Sequence, residues 1–299
     1  MRGQGPGGLA GAAAGEPPPG QAAPGLAPLL AAIGAGVPLL VLSAHLDDAV
    51  LSCGALMLHA TAHTEVSVLT LFTEGRPPPY TLSARRYLHQ VGAQDAETLY
   101  VQRRAEDRAV LARLGAVCVH AGLTEALFRL RPRAGRRSAA ARLLPELAHL
   151  YPVYRVHITS GRLAPADAGT VAAARAIVQR LAGPAVVLAP LAVGGHVDHV
   201  LARTAAEQSG APLAYYSDFP HNQHHPADAG FLARRGLTEA SWPRLLEAKA
   251  GLVRGYRTQV RALFPDGRIP LAPEVFYLSP GLAAGAGGPG SRTAPGGTR

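Results

Sequence analysis

The stretch VPLLVLSA, residues 37–44, is followed directly by the polar cluster His45-Leu-Asp-Asp48. A continuous apolar run of this kind is typical of a strand that is buried on both faces of a parallel sheet. Asp47 is placed to cap a helix that continues through residues 49–60. The stretch therefore predicts a strand, a polar turn and a helix, which together form the first unit of an α/β fold.

Strands and helices are predicted to alternate along the rest of the chain. Apolar runs predict further strands at residues 66–72, 117–120, 185–189 and 213–216. Helical spacing of apolar residues predicts helices at residues 95–114, 170–181 and 197–208. This alternation predicts a Rossmann-like, doubly wound α/β fold with a mainly parallel sheet and helices on both faces. Ligands of such sheets bind at the carboxyl ends of the strands.

The composition predicts one domain between two tails. The 299-residue chain is 48% hydrophobic, which is enough for a sizeable core. Residues 1–35 and 281–299 are rich in Gly, Pro and Ala. We expect both tails to be disordered, because they offer too little apolar surface to offset the entropy lost on ordering. Residues 36–280 then form the folded domain.

Charge and cysteine content exclude several classes of protein. The formal net charge is +9, but no block of five or more like charges is present, so we expect no nucleic-acid partner. Cys53 and Cys118 lie in apolar runs and are expected to be buried free thiols. No apolar stretch is long enough to span a bilayer, and Gly and Pro interrupt the N-terminal region before a signal-peptide core could form. These features favour a cytoplasmic enzyme.

The first polar cluster has the composition of a metal site. His45 and Asp48 are three residues apart, which is close enough across a tight turn to hold one ion. The adjacent Asp47 points in another direction and is free to face a bound ligand. The simpler interpretation is a helix cap beside an incidental histidine.

The second polar cluster, Gly194-Gly-His-Val-Asp-His199, follows the predicted strand at residues 185–189. Its two histidines lie three residues apart, which brings both rings to one side of a helix start. Two such clusters at one edge of a sheet favour a shared site over coincidence. His45, Asp48 and His199 then supply three protein ligands, the number that catalytic zinc sites use while one position stays open for water.

Both clusters resemble the paired signatures of the PIG-L/LmbE-like deacetylases, in the segments Ala44-His-Leu-Asp-Asp48 and His196-Val-Asp-His199. Members of this family are zinc hydrolases that act on N-acetylglucosaminyl lipids, thiol-cofactor precursors and glycosylated antibiotics. The resemblance runs from about residue 38 to residue 262, with weaker matches at Thr73-Glu-Gly75, Arg103-Arg-Ala-Glu106, Leu114-Gly115, Lys249 and Tyr256-Arg-Thr-Gln259. The chain departs from the family pattern at Leu46, commonly proline, and at Ala49, commonly glutamate. Among the branches of the family, the glycopeptide-antibiotic deacetylases are the preferred relatives.

The resemblance assigns a role to each matching residue of the metal site. It implies that His45, Asp48 and His199 bind Zn2+ and that Asp47 is the general base. It implies a small-molecule or glycoside substrate and an N-deacetylase that removes an acyl group, most simply acetyl, from an amino sugar on a natural product. Two alternatives stay open: an amidase of a thiol-sugar conjugate and a non-enzymatic sugar-binding module. The sequence does not decide the oligomeric state.

The resemblance also implies roles around the metal site. His196 would stabilise the oxyanion and donate a proton, and Asp198 would orient His196. Arg103 would hold sugar hydroxyls, with Glu106 fixing it. Glu125 is a weaker candidate for a substrate contact, with a helix start as the alternative interpretation.

Further candidates follow from position alone. We expect residues 120–169 either to build pocket walls or only to cover the sheet edge. The loop at residues 217–225 is interpreted mainly as a structural loop. Side chains expected at the rim are the ring-bearing Tyr215, Tyr216, Phe219 and His221, and the arginines Arg129, Arg131 and Arg133.

Overall fold

The computed structural model describes residues 24–132 and 143–279 and Leu282. The strands are β1 (Leu39–Ser43), β2 (Val66–Glu74), β3 (Val117–Thr124), β4 (Val186–Pro190), β5 (Leu213–Tyr216), β6 (Thr238–Trp242) and β7 (Glu274–Leu278). The α-helices are α1 (Ala27–Gly34), α2 (Asp48–Ala60), α3 (Leu82–Gln90), α4 (Ala96–Leu114), α5 (Ala168–Ala182), α6 (Val197–Glu207), α7 (Ala229–Arg235), α8 (Leu246–Val253) and α9 (Arg257–Leu263).

The strands form one seven-stranded sheet in the order β3-β2-β1-β4-β5-β7-β6. Strands β1 to β5 run parallel, whereas β7 pairs antiparallel with both β5 and β6. The predicted α/β fold with a mainly parallel sheet is confirmed. The strand order reverses between β1 and β4, and such a reversal leaves a crevice at the carboxyl ends of the two strands.

The sheet is covered on both faces, as predicted. Leu39 and Val41 of β1 pack on one face with apolar residues of α1, α2 and α4. Leu40 and Leu42 of the same strand pack on the other face with apolar residues of α5 and α6. Because every residue of β1 is buried, its sequence is a continuous apolar run without alternation.

The N-terminal boundary of the domain differs from the prediction. Residues 24–34 form a short 3-10 turn and helix α1, and Leu26, Leu29 and Ile33 are fully buried against the sheet. The predicted disorder of this part of the tail is therefore wrong, because the apolar spacing in APLLAAIG supplies the buried area that its Gly- and Pro-rich neighbourhood lacks. Residues 1–23, 280, 281 and 283–299, which make up most of both predicted tails, lie outside the described residues, as does Arg133.

The cysteines and the helix lengths bear on two further predictions. Both cysteines are free; Cys53 is buried as predicted, but Cys118 is only half-buried because β3 is an edge strand. Across the described ranges, no helix combines the length and the apolar character needed to cross a bilayer.

Candidate functional site

The two polar clusters meet at the crevice between the ends of β1 and β4. The Ser43 hydroxyl donates to the carbonyl of His45 at 2.6 Å and accepts from the N–H of Ala49 at 3.1 Å, which closes a tight turn after β1. After β4, Gly194 and Gly195 have φ of +83° and +70°, and α6 begins next to them. A left-handed backbone at both positions favours glycine. These turns aim both clusters into one crevice.

Asp48 lies between the two histidines predicted to be metal ligands. Its Oδ2 is 3.2 Å from His45 Nδ1 and 3.3 Å from His199 Nε2. Ligand bonds of about 2.0 to 2.2 Å at tetrahedral angles place nitrogen and oxygen ligands roughly 3.4 Å apart. Both separations therefore fit one divalent ion held by His45, Asp48 and His199.

Each of these histidines is held by a carboxylate at its other ring nitrogen. His199 Nδ1 lies 2.6 Å from Asp218 Oδ1, and His45 Nε2 lies 3.3 Å from Asp198 Oδ2. A carboxylate in this position orients the ring and fixes the tautomer that offers the opposite nitrogen to a metal. Asp218 also accepts from the N–H of Val193 at 2.7 Å, which ties it to the loop after β4.

Charge in the cluster fits metal ligation. Burial alone would raise the pKa of Asp48, but His199 and His45 hold it well below its usual range. Burial acts to lower the pKa of His199, and the carboxylates of Asp48 and Asp218 more than offset this and raise it. The cluster therefore keeps the Asp48 carboxylate in its charged form. The negative charge of Asp48 and Asp218 favours a cation between the two proposed histidine ligands.

His196 contacts its neighbours differently from the prediction. Its Nδ1 accepts a hydrogen bond from the backbone N–H of Asp198 at 3.2 Å, so the proton of a neutral ring lies on Nε2. Burial first, and then the charge of His45, lower the pKa of His196 well below its usual value, which favours the neutral ring. A second set of candidate metal ligands consists of three histidines. One ring nitrogen from each of His45, His196 and His199 lies within 4.8 Å of the other two.

The expected contact between the Asp198 carboxylate and His196 is not formed. The Asp198 carboxylate accepts from the N–H of Ala126 at 2.8 Å, accepts from Arg129 and lies beside His45. The prediction was wrong because Asp198 occupies the first turn of α6, where its backbone N–H donates to the His196 ring that caps the helix, while its side chain points towards Arg129. Asp198 therefore orients His45.

Asp47 lies beside a cation. Its Oδ1 is 3.5 Å from Nη2 of Arg103. Burial raises the pKa of Asp47 to about 6, against the lowering influence of Arg103. A carboxylate with a pKa near the working pH is suited to accept a proton and to give it up again.

Arg103 is held by residues other than the predicted one. It donates to the Tyr87 hydroxyl at 3.0 Å and lies 3.5 Å from Glu125 Oε2. Glu106 instead accepts from the backbone N–H and hydroxyl of Thr258 at the start of α9, so the predicted pairing of Glu106 with Arg103 is wrong. The two residues are three apart on α4, but the Glu106 carboxylate turns towards unpaired N–H groups of α9.

Glu125 faces the same space as the metal cluster. Burial raises its pKa to about 7, with the charge of His45 opposing the rise. Its Oε2 is buried and accepts no hydrogen bond from any described residue. A buried oxygen without a hydrogen-bond partner is costly unless a ligand satisfies it.

These side chains line a cavity of about 670 Å³. The predicted site residues on its wall are His45, Asp47, Asp48, Arg103, Glu125, His196 and His199. Tyr154 and Arg155, from the segment at residues 120–169, also line it. This segment therefore contributes to the pocket wall, as one of the two interpretations predicted.

The predicted rim is partly wrong. Phe219 and His221 line the cavity. Tyr215 and Tyr216 are buried instead, because Tyr215 donates to Glu207 and Tyr216 to the carbonyl of Leu42. Among the arginines, Arg129 is buried between Asp167 and Asp198, and Arg131 is exposed and donates to the carbonyl of His149.

Three residues at the site were not singled out from the sequence. Asp218 lay in a loop that was interpreted as structural, although its position just after β5 was a usable signal. Tyr87 and Tyr154 had no local pattern that marks them, because each reaches the site only through tertiary packing.

Comparisons with known proteins place the chain in a family. Residues 40–209 match the family model PIG-L, described as GlcNAc-PI de-N-acetylase. The 2'-N-acetylparomamine deacetylase of Streptomyces fradiae is 32% identical over 186 residues, which are 61% of this chain and 57% of that protein. The chain thus spans little more than half the length of this curated relative.

Two solved structures share the fold. The zinc-inhibited form of teicoplanin deacetylase Orf2 is 22% identical with a TM-score of 0.61, over 80% of this chain and 97% of that one. The A40926 pseudoaglycone deacetylase Dbv21 is 24% identical with a TM-score of 0.56, over 81% and 97%. The family match covers more than half of the residues, and the chain belongs to the PIG-L family of GlcNAc-PI de-N-acetylases.

Proposed function

We propose that this chain is a zinc-dependent N-deacetylase that removes an acyl group, most simply acetyl, from an amino sugar carried on a natural product. The observation that carries the proposal is the placement of Asp48 Oδ2 at 3.2 and 3.3 Å from the two histidines, with Asp47 beside it and outside the ligand set. Family membership and the match to a 2'-N-acetylparomamine deacetylase support the same chemistry. Zinc suits a site with two imidazoles, one carboxylate and an open position.

The proposed reaction attacks an amide with water. When bound, a zinc ion polarises the amide carbonyl and lowers the pKa of the attacking water. Asp47 takes a proton from that water as it attacks the carbonyl carbon. The Nε2–H of His196 donates to the oxygen that develops negative charge, since its Nδ1 is already occupied by the Asp198 N–H.

Collapse of the tetrahedral intermediate breaks the carbon–nitrogen bond. The leaving amine needs a proton, and Asp47 returns the one that it took, which leaves a free amine and a carboxylic acid that then gives up its proton to solvent. Arg103 lies 3.5 Å from both Asp47 and Glu125 and so keeps two buried carboxyls near the reaction centre. The proposed role of Arg103 is therefore to position these carboxyls and to meet substrate oxygens with its remaining donors.

The size of the cavity favours a substrate larger than a single sugar. Its volume of about 670 Å³ lies in the range of pockets that enclose drug-sized ligands. Glu125 Oε2, which accepts no hydrogen bond from any described residue, can accept one from a hydroxyl or amine of the sugar. Tyr154, which is 44% exposed, offers a ring face at the mouth to a sugar or an attached aromatic group.

The test is product release from two substrates by the purified chain. We expect zinc-loaded protein to release equal amounts of primary amine and acetate from 2'-N-acetylparomamine or from an N-acetylglucosaminyl glycoside. A chelator should abolish release, and added zinc should restore it. Binding of both substrates without release would favour a sugar-binding module, and release only from a thiol-sugar conjugate would favour the amidase.

A further inference from the structure

A second cluster of side chains of the types that bind metals lies at the edge strand of the sheet, away from the cavity. Cys118 and His120 are two residues apart on β3, so their side chains share one face of the strand, and Asp107 of α4 packs against that face. The Asp107 side chain is 2% exposed and that of His120 is 9% exposed, while Cys118 is half-buried. β3 forms the end of the sheet, which gives ions a route to the cluster.

The separations within this cluster fit one zinc-sized ion. His120 Nε2 lies 2.8 Å from Asp107 Oδ2 and 3.3 Å from Cys118 Sγ, and Cys118 Sγ lies 3.9 Å from Asp107 Oδ2. Zinc bonds of about 2.0 to 2.3 Å at tetrahedral angles require separations of about 3.4 to 3.6 Å. Side-chain movements of roughly half an ångström bring all three pairs to these values.

The donor atoms also have matching chemistry. A thiolate, an imidazole and a carboxylate together favour zinc over magnesium or calcium, which prefer oxygen ligands alone. Asp107 is oriented by the Tyr256 hydroxyl, which donates to its Oδ1 at 2.8 Å and leaves Oδ2 facing Cys118 and His120. Tyr256 thereby acts as the outer partner that metal-binding carboxylates commonly have.

A purely structural hydrogen-bond network, with His120 Nε2 2.8 Å from Asp107 Oδ2, is the alternative to a metal site. The buried Nδ1 of His120 has no hydrogen-bond partner among the described residues in either case, because an ion would bind at Nε2. Binding of an ion would displace the thiol proton of Cys118 to solvent and place a positive charge beside Asp107.

We propose that Asp107, Cys118 and His120 form a second binding site for a thiophilic divalent ion of the zinc type, separate from His45, Asp48 and His199. The ion ties the edge strand β3 to α4, and through Tyr256 to the start of α9. Residues of α9, among them Gln259, line the catalytic cavity, so the site braces one of its walls. The proposal does not depend on the deacetylase function, because none of its three ligands lines that cavity.

Cobalt(II) titration of the purified full-length chain tests this site. The two cysteines are the only source of a thiolate-to-cobalt absorption band in the near ultraviolet. We expect the wild type to develop this band as an ion binds beyond the one at the catalytic cluster, and added zinc to bleach it. We also expect cobalt and zinc to raise the midpoint of thermal unfolding of the chain.

Matched variants locate the band. Cys118→Ala and His120→Gln should lose most of the band, whereas Cys53→Ala, which changes the other thiol, should keep it. His199→Ala should also keep the band while losing the catalytic ion, which separates this proposal from the proposed function. A wild type without any thiolate band, or a band that survives Cys118→Ala and disappears in Cys53→Ala, would overturn the proposal.

Discussion

The Nδ1 atom of His199 lies 2.6 Å from Oδ1 of Asp218, and both side chains are almost fully buried. This contact fixes the opposite nitrogen, Nε2, towards the Asp48 carboxylate at 3.3 Å. The two residues come from different strand ends, since His199 follows β4 and Asp218 follows β5. The orientation of a proposed ligand is thus set by a residue outside both sequence signatures.

Asp218→Asn is expected to weaken metal binding without removing a ligand. The amide has nearly the same shape, but it no longer holds the His199 ring with a negative charge, so we expect metal affinity to fall by about 10- to 100-fold. Competition with a chromophoric chelator measures the affinity. The control is Asp266→Asn, which changes an exposed aspartate. Equal affinity in the two variants would show that Asp218 has no part in holding the ion.

Arg129→Met is expected to destabilise the fold. Arg129 donates to Asp167 at 2.6 Å and also to Asp198, and all three side chains are buried. Loss of the cation leaves two buried carboxylates without their partner, a change that typically costs about 3 to 5 kcal/mol. Denaturant unfolding measures the free energy.

Arg175→Met is the control for Arg129→Met, because Arg175 is an exposed residue of α5. Surface changes of this kind usually stay within about 0.5 kcal/mol. If Arg129→Met were as stable as Arg175→Met, the buried arginine would not be needed to hold Asp198.

Truncation separates the ordered from the dispensable part of the N-terminal region. A chain that begins at Pro24 should keep the stability of the full chain, whereas one that begins at Gly36 should lose the burial of Leu26, Leu29 and Ile33. Each fully buried Leu or Ile contributes about 1.5 to 3 kcal/mol. Thermal unfolding compares the three chains. A truncation at Gly36 that left the unfolding midpoint unchanged would mean that α1 adds nothing to the core.

The proposed substrate predicts a kinetic difference between free and carried sugars. Contacts with the remote part of the substrate should raise kcat/KM for an N-acetylglucosaminyl glycoside or glycopeptide by at least about tenfold over free N-acetylglucosamine, or about 1.4 kcal/mol of transition-state stabilisation. Steady-state kinetics on both substrates measure it. Equal kcat/KM values for the two substrates would contradict this prediction and would mean that Tyr154 and Arg155 only cover the sheet edge.

The parallel part of the fold could be predicted because its strands are buried on both faces. The runs that form β1, β2, β4 and β5 are apolar enough to mark strands without help from tertiary structure. β6 could not be found this way, since TEASW is a partly exposed strand at the sheet edge and carries polar residues. β7, with the sequence EVFYL, was also missed, because it follows a segment without a regular pattern.

The convergence of the proposed metal ligands could be predicted for a related reason. His45 and Asp48 are local to one turn, and His199 follows a strand whose end must meet the same crevice. The contacts of the outer partners Asp218 and Arg129 could not be assigned. Asp218 holds His199, which is 19 residues away, and Arg129 holds Asp198, which is 69 residues away. Sequence spacing likewise misassigned Glu106, whose direction is set by the start of α9.

The central claim is that Asp48 holds the metal while its neighbour Asp47 moves the proton, and paired variants test it most directly. Asp47→Asn and Asp48→Asn are compared for zinc content and for the rate of acetate release. We expect Asp47→Asn to keep its zinc while turnover falls by about 10² or more, and Asp48→Asn to lose zinc. An Asp47→Asn protein without zinc beside an Asp48→Asn protein with full zinc would contradict the account, because the two aspartates would then have exchanged roles.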